Sequence, residues 1–454
     1  MTGRVVIAGV SSGVGKTTVV AGLARALRKR GINVAMFKCG PDYLDPTYHA
    51  RAAGRVSQNL DGFLMGRAAV RATFARAARG ADIALIEGVM GLFDGASATS
   101  EEGSTAEIAK WLDAPVLLVC DAAGMARSVA ALTHGFVNFD KELRVAGVIC
   151  NRVGSRGHLE LLQSAQGSPP IVGGLPKRPE LAFRERHLGL VSAETGVDEA
   201  TLDAWGETIA EWFDLPALLA IARAVPPLPE EAAAESFHTK APRCRIGVAI
   251  DAAFQFYYDD NLRRLEALGA ELVRFSPIGD PDLPDVDGLY IGGGYPELFA
   301  VELERNTSMR AAVAAFAARG RPVYAECGGL MYLSRAIQTR AGERHAMVGV
   351  IPGETQMHDR LQSLGYAEVE TRSATVLGPS GMRFRGHQFR YSELRLDAGV
   401  EHAYVLRARR SGDVTAEGYR VGNTLASYVH AHWASNPEAA QNFVNACAEH
   451  ARKR

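Results

Sequence analysis

The chain has 454 residues, about three times a typical domain, so two or three domains are expected. Fifty Lys+Arg against 51 Asp+Glu leave a net charge of −1, which removes the electrostatic case for a nucleic-acid or anionic-membrane binder. With 47% hydrophobic and 22% charged residues the chain is too apolar to be disordered, and no apolar run approaches the roughly 18–20 residues that span a bilayer.

The N-terminus runs from the apolar hexamer straight into glycines without a signal-peptide layout. Six cysteines (39, 120, 150, 244, 327 and 447) include no CxxC pair. A disulfide framework or structural zinc is therefore not expected, and a reducing, cytoplasmic setting is. In chain order, Val5–Ala8, Val34–Phe37, Ile83–Ile86, Val116–Val119 and Val145–Ile149 read as buried strands. Stretches with helical spacing lie at 18–30, 67–79 and 124–138. Apolar strands without polar alternation, separated by helices, predict a parallel sheet covered on both faces. Residues 214–242, with five prolines and an acidic patch, read as a linker carrying one short helix. Alternation restarts at Ile246–Ile250, Leu272–Phe275, Gly288–Ile291 and Val323–Ala325, and residues 345–430 suggest added antiparallel strands. The expected organisation is two α/β domains, 1–235 and 243–454.

The first strand runs into Gly9-Val10-Ser11-Ser12-Gly13-Val14-Gly15-Lys16-Thr17-Thr18. Phosphates need unobstructed backbone N–H groups, a positive point charge and a helix N-terminus. Residues Ser12, Gly13, Val14, Gly15, Lys16, Thr17 and Thr18 offer these, with Thr17 placed to hold Mg²⁺. The spacing departs from GxxxxGK[ST], because its first glycine stands one residue early, at Gly9. Carboxylates follow the next strands: Asp42 and Asp45 after Val34–Phe37, Glu87 and Asp94 after Ile83–Ile86. Ligands of open α/β sheets gather at such strand ends, and nucleotide-bound Mg²⁺ wants one or two carboxylates. Each of the four alone would serve equally as a cap or turn residue. Asn151 stands where it would meet a purine edge, with an Asx turn as its alternative.

In the second half, Cys327 lies between the strand Val323–Ala325 and Gly328-Gly329-Leu330-Met331. That pattern suits a sharp strand-to-helix turn, where a helix N-terminus lowers a thiol's pKa. Leu425–Val429 reads as a strand ending in His430-Ala431-His432, so His430 is the candidate imidazole partner. Gly292-Gly293-Gly294, after the strand ending at Ile291, could offer N–H groups of Gly293 and Gly294 to an oxyanion.

The phosphate loop, FKCGPDYLDPTYH at 37–49, IEGVMGLFDG at 86–95, RHLGL at 186–190 and AECGGLMYL at 325–333 jointly resemble the cobyrinic/hydrogenobyrinic acid a,c-diamide synthases. The resemblance spans nearly the full length. It implies an N-terminal phosphate-loop domain with a dethiobiotin synthetase-like parallel sheet and a C-terminal class I glutamine amidotransferase α/β domain. Class I enzymes carry His-x-Glu where this sequence has His430-Ala431-His432, so a Cys327–His430 dyad is what carries over. Gly386-His387-Gln388-Phe389-Arg390-Tyr391-Ser392 looks like the family's GHEFHYS with two substitutions, and no catalysis is assigned to it.

The resemblance further implies ATP- and glutamine-dependent amidation of the a and c acetates of a corrinoid, cobalt-containing or metal-free, with Mg²⁺ as cofactor. Thr17, Asp45 and Glu87 carry over as metal ligands. Asp42, Tyr43, Leu44 and Asp94 carry over to the substrate or acyl-phosphate site. Arg184, Arg186 and His187 are candidate cations for the substrate's carboxylates. A homodimer is expected, with no nucleic-acid or membrane partner. The alternatives are a related tetrapyrrole or cobyric acid amidotransferase, or a partition-type switch ATPase. The latter lacks a cysteine-elbow domain and usually carries an early loop lysine where Ser11 stands here.

Overall fold

A computed structural model describes residues 2–167, 169–178, 181, 197–228 and 241–452. The chain divides into two compact units, residues 1–236 and 237–454.

The first unit is built on seven strands: β1 (Gly3–Gly9), β2 (Val34–Cys39), β3 (Gln58–Leu60), β4 (Ile83–Glu87), β5 (Val116–Asp121), β6 (Val145–Val153) and β7 (Ile171–Pro176). They form one sheet in the order β3-β2-β4-β1-β5-β6-β7, every pair parallel. β1, β2 and β4 are buried along their whole length. That is why their sequences show no polar alternation. The helix Lys16–Arg28 buries ten of its 13 residues, and its valines, leucines and alanines join the strands in one core. The C-terminal ends of β1, β2 and β4 lie side by side, which gathers the loops that follow them.

The short helix expected within the linker forms at its start, and it packs into the first core. Leu215–Arg223 is a helix whose Leu215, Leu218 and Ala222 enter the first core. Their spacing of three and four puts them on one helical face, and Asp214 caps Ala217 N. Of the expected linker, residues 229–240 lie outside the described residues.

The second unit begins with β8 (Cys244–Ala249), β9 (Phe254–Phe256), β10 (Ala270–Phe275), β11 (Gly288–Ile291), β12 (Gly293–Gly294) and β13 (Val323–Glu326). Then come β14 (Ser334–Gln338), β15 (Arg344–Ala346), β16 (Ile351–Met357), β17 (Ser363–Thr371), β18 (Arg383–Arg390) and β19 (Ser392–Leu396). β20 (Glu401–Ala408), β21 (Val414–Val421), β22 (Thr424–Ser427) and β23 (His430–His432) complete the set. Ten of them make a sheet in the order β10-β8-β11-β13-β22-β21-β20-β17-β18-β23. The half from β10 to β22 is parallel and the rest antiparallel. β14, β15, β16 and β19 form a separate four-stranded sheet, and β9 pairs with β12.

The strand expected over Leu425–Val429 stops at Ser427. The buried carboxylate of Glu417 accepts Ser427 Oγ at 2.6 Å and Tyr428 N at 2.7 Å, and the second bond takes the backbone donor that would have continued the ladder. His430-Ala431-His432 is instead a strand of its own, paired with β18 at the far end of the sheet order. Two residues connect β22 to β23, a span of about 10 Å at most. The antiparallel half must therefore curl back until its last strand lies beside the end of β22.

Candidate active sites

In the first unit, the chain leaves β1 at Gly9 and re-enters a helix at Lys16. Gly13 and Gly15 have φ of 76° and 91°, a conformation open to glycine at little cost. Gly15 is the N-cap and has no side chain with which to cover the helix's N-terminal donors, where an anion binds. Ser12 is exposed, Val14 is buried beneath the loop, and Thr18 is buried in the first turn. Lys16 is buried, and its Nζ donates to Met90 O at 2.6 Å and Ser11 O at 3.3 Å. Burial and the nearby Lys38 lower its pKa. Asn151 lies under the loop: its Nδ2 donates to Val14 O at 2.7 Å, and its Oδ1 accepts Arg152 N at 2.8 Å. One amide hydrogen and one oxygen lone pair are thus spent on bracing the loop, and the amide keeps one donor and one acceptor site besides.

Thr17, Asp45 and Glu87 come together at the ends of β1, β2 and β4. Thr17 Oγ1 donates to Glu87 Oε1 at 2.8 Å. Lys38 Nζ lies 2.7 Å from Asp45 Oδ2, 3.0 Å from Glu87 Oε1 and 3.1 Å from Gly88 O. His49 Nε2 meets Glu87 Oε2 at 2.5 Å, with Nδ1 3.2 Å from Ser57 Oγ. Burial pushes Glu87 up, but Lys38 and His49 outweigh it and hold the carboxyl well below its ordinary range. Asp45 goes the other way, to about 7, through burial and the facing Asp42. Burial would lower Lys38, yet Asp45 and Glu87 outweigh it and raise the ammonium.

Asp42 and Asp94 hold turns. Asp42 Oδ1 accepts Leu44 N at 2.7 Å and Asp45 N at 3.1 Å; Asp94 Oδ2 accepts Gly91 N at 3.0 Å. Asp94 is exposed, Tyr43 half-buried and Leu44 buried. Lys38 and His49 are members of the cluster that the motif reading passed over. Both were visible in the sequence: a lysine in an otherwise apolar strand, and a histidine four residues after Asp45, hence on the same helix face. Arg184, Arg186 and His187 lie outside the described residues.

Hard oxygen donors that converge on one ammonium are chemically suited to Mg²⁺. Among the described residues no group of three or more His, Cys, Asp or Glu side chains is arranged to hold a metal by itself.

In the second unit, Cys327 sits between β13 and the short helix Gly328–Leu333, with φ of 46°. A non-glycine residue there is strained. Cys327 N donates to Ser427 O at 2.7 Å, and its thiol points toward Phe389 O at 3.9 Å. The expected pKa lowering is not found. Burial and Glu297 push the thiol up to about 12, with Arg390 opposing. Half-buried Glu297 is itself raised to about 7 by burial.

His430 is buried and pushed down to about 3 by burial and His387, so its ring is neutral. It rests on the glycine segment: a Cβ at Gly293 would fall 2.3 Å from His430 Cε1. A Cβ at Gly328, next to Cys327, would lie 2.9 Å from Gly294 N. The expected pair thus borders one glycine segment from two sides. Glu326 ties them together from behind. Its Oε1 accepts Ala431 N at 3.0 Å and Tyr324 OH at 2.7 Å, and its Oε2 accepts Tyr290 OH at 2.9 Å. His432 caps the following turn, accepting Ala434 N at 3.3 Å. Arg390 stacks over Tyr428 with its Cζ 4.5 Å from the ring centroid.

Residues 245–438 match the family described as "CobB/CobQ-like glutamine amidotransferase domain", and residues 5–190 the "CobQ/CobB/MinD/ParA nucleotide binding domain". The chain is 52% identical to a cobyrinate a,c-diamide synthase of Leptospira interrogans, over 98% of each chain. It is 50% identical to one of Syntrophotalea carbinolica over 98% of each. With one of Methanothermobacter thermautotrophicus the identity is 44%, over 97% of this chain and 98% of the relative. With a nucleotide-binding unit, a cysteine elbow and full-length identity at this level, the chain belongs to the cobyrinate a,c-diamide synthase family of glutamine-dependent amidating ligases.

Proposed function

We propose that the protein amidates the a and c acetate carboxylates of cobyrinic or hydrogenobyrinic acid, using ATP and glutamine. A carboxylate is a poor acyl donor, so one of its oxygens first attacks the γ-phosphorus of ATP, releasing ADP and leaving an acyl phosphate. Lys16 and the loop amides stabilise the charge on the transferring phosphoryl, mainly by positioning. Thr17, Asp45 and Glu87 would hold Mg²⁺, which would neutralise phosphate charge. Asp42, Tyr43, Leu44 and Asp94 border the substrate. In the second unit Cys327 Sγ attacks the glutamine amide, its proton passing to His430 and on to the departing ammonia. The resulting γ-glutamyl thioester is hydrolysed to glutamate. Gly293 and Gly294 face the developing oxyanion. Ammonia then displaces phosphate from the acyl phosphate.

The observation that carries this reading is the strained, buried Cys327 set against the same glycine segment as a neutral His430, in a chain that also carries the Lys16–Thr17 phosphate loop. Full-length likeness to relatives named cobyrinate a,c-diamide synthase supports the substrate class. The test follows product charge with metal-free and cobalt-containing substrates side by side. Cys327→Ser is expected to abolish glutamine-driven amidation and spare ammonia-driven amidation, whereas Lys16→Ala loses both. Equal loss of both in Cys327→Ser, or ammonia-driven synthesis retained in Lys16→Ala, contradicts the division of labour.

A further inference from the structure

Lys38 ends an otherwise apolar stretch of β2, and its side chain is 4% exposed. Its ammonium is gripped by Asp45 Oδ2 at 2.7 Å, Glu87 Oε1 at 3.0 Å and Gly88 O at 3.1 Å. Thr17 Oγ1 donates to the same Glu87 oxygen. His49, on Glu87 Oε2 at 2.5 Å, keeps that oxygen engaged on the other side. One oxygen of each carboxylate, Asp45 Oδ2 and Glu87 Oε1, is therefore turned toward a fixed positive charge. An ammonium and a divalent ion compete for these oxygens, because like charges a few Å apart repel where water is excluded.

We propose that Lys38 is a built-in counter-cation that blocks divalent metal from Asp45 and Glu87 until nucleotide phosphates arrive, so that metal binding is conditional on nucleotide. This rests on the assignment of Asp45 and Glu87 as metal ligands. Metal alone would have to evict the ammonium and leave it buried without an anion, which is costly. Nucleotide removes both penalties. Its phosphate oxygens complete the metal's coordination and give the displaced ammonium a new anionic partner. A site with this logic does not hold free metal poised beside an unphosphorylated carboxylate.

The test is Mn²⁺ uptake, read from the electron paramagnetic resonance signal of the free ion, with and without a non-hydrolysable ATP analogue. Wild type and Lys38→Arg are expected to take up Mn²⁺ only with nucleotide. Lys38→Met should bind one Mn²⁺ per chain without it, at least ~10-fold more tightly than wild type, and the Lys38→Met/Asp45→Asn double variant should lose that gain. A folded Lys38→Met with the same weak nucleotide-free uptake as wild type overturns the proposal. Should Lys38→Met not fold, wild type decides through the nitrogen resonance of the Lys38 ammonium. That signal should shift when Mg²⁺ and nucleotide are added together and not with Mg²⁺ alone; no shift with both overturns the proposal. Failure of the ligand assignment shows separately, as nucleotide-dependent Mn²⁺ affinity left unchanged by Asp45→Asn and by Glu87→Gln.

Discussion

At the scale of single residues, the two candidate nucleophilic partners of the second unit are tuned toward neutrality. The Cys327 thiol is raised to about 12, chiefly by burial and then by Glu297, while His430 is lowered to about 3. The pair is therefore a thiol beside an uncharged base, and the proton moves as the sulfur attacks. Arg390 opposes the rise in Cys327, which gives a chemical role to a position where the family motif carries histidine. Alkylation of Cys327 by iodoacetamide, followed against pH without glutamine, should rise through an apparent pKa well above 9. Glu297→Gln should speed it at pH 8–9 and Arg390→Met slow it, each by about threefold to tenfold, given one decade of thiolate per pKa unit. Matching profiles for wild type and both variants would sink this account. The cysteine itself was legible from its strand-to-helix context. The charges around it were not, because Glu297 and Arg390 lie 30 and 63 positions away in the sequence.

Among the elements, the one that decides the second site is β23. Its three residues look like the tail of β22, yet it pairs with β18, at the far end of the sheet order. The cause is local: Glu417 ends β22 by capping Ser427 and Tyr428. Glu326, at the end of β13, then holds β23 by Ala431 N. Between them, β12 supplies the surface on which His430 lies. Gly293→Ala puts a methyl 2.3 Å from the His430 ring, so the ring or the strand must move. Glutamine hydrolysis should fall at least 100-fold, the scale of a misplaced catalytic group, with ammonia-driven synthesis retained. An unchanged glutaminase rate would show that His430 does not need this seat. In the first unit the elements were easier to foresee. β1, β2 and β4 are apolar runs, and each ends in a segment rich in glycine or aspartate. The pairing of Asp45 and Glu87 with Lys38 depends on β2 and β4 being neighbours, which only the strand order supplies.

For the molecule as a whole, a net charge of −1 hides strong internal polarity. Buried ionisable groups set the pH response of the second unit. His430 and His432 are held at about 3 and 4 by burial, below the ordinary value near 6.5. The unfolded chain therefore binds protons first. Their contribution to stability is complete above about pH 6.5 and is lost as pH falls toward the folded values. Glu326 and Glu297, raised to about 7 by burial, have the opposite sign: their contribution is lost as pH rises from about 4.5 through 7. His432→Asn keeps an acceptor for Ala434 N and removes one titrating group. The slope of unfolding free energy against pH between 4.5 and 6 should change by about 1.4 kcal/mol per unit, one proton's worth. Urea unfolding at four pH values measures it, and an unaltered slope would show that His432 titrates normally.

The class of fold, the phosphate loop, the cysteine elbow and the family resemblance are all legible along the chain. Each of these is written in contiguous residues: an apolar run, then a turn rich in glycine, then a helix. Their physics is local, since glycine conformation and helix ends depend on near neighbours. Which distant groups share an enclosed space follows instead from how the strands and loops pack. Lys38 lies between Asp45 and Glu87, Asn151 beneath the phosphate loop, and His430 on a strand that pairs away from the one preceding it. Desolvation and Coulomb interactions depend on enclosure and distance in space, not on separation along the chain. For that reason the charge states at both sites, and the competition between an ammonium and a metal ion, emerge only once the sheets are folded.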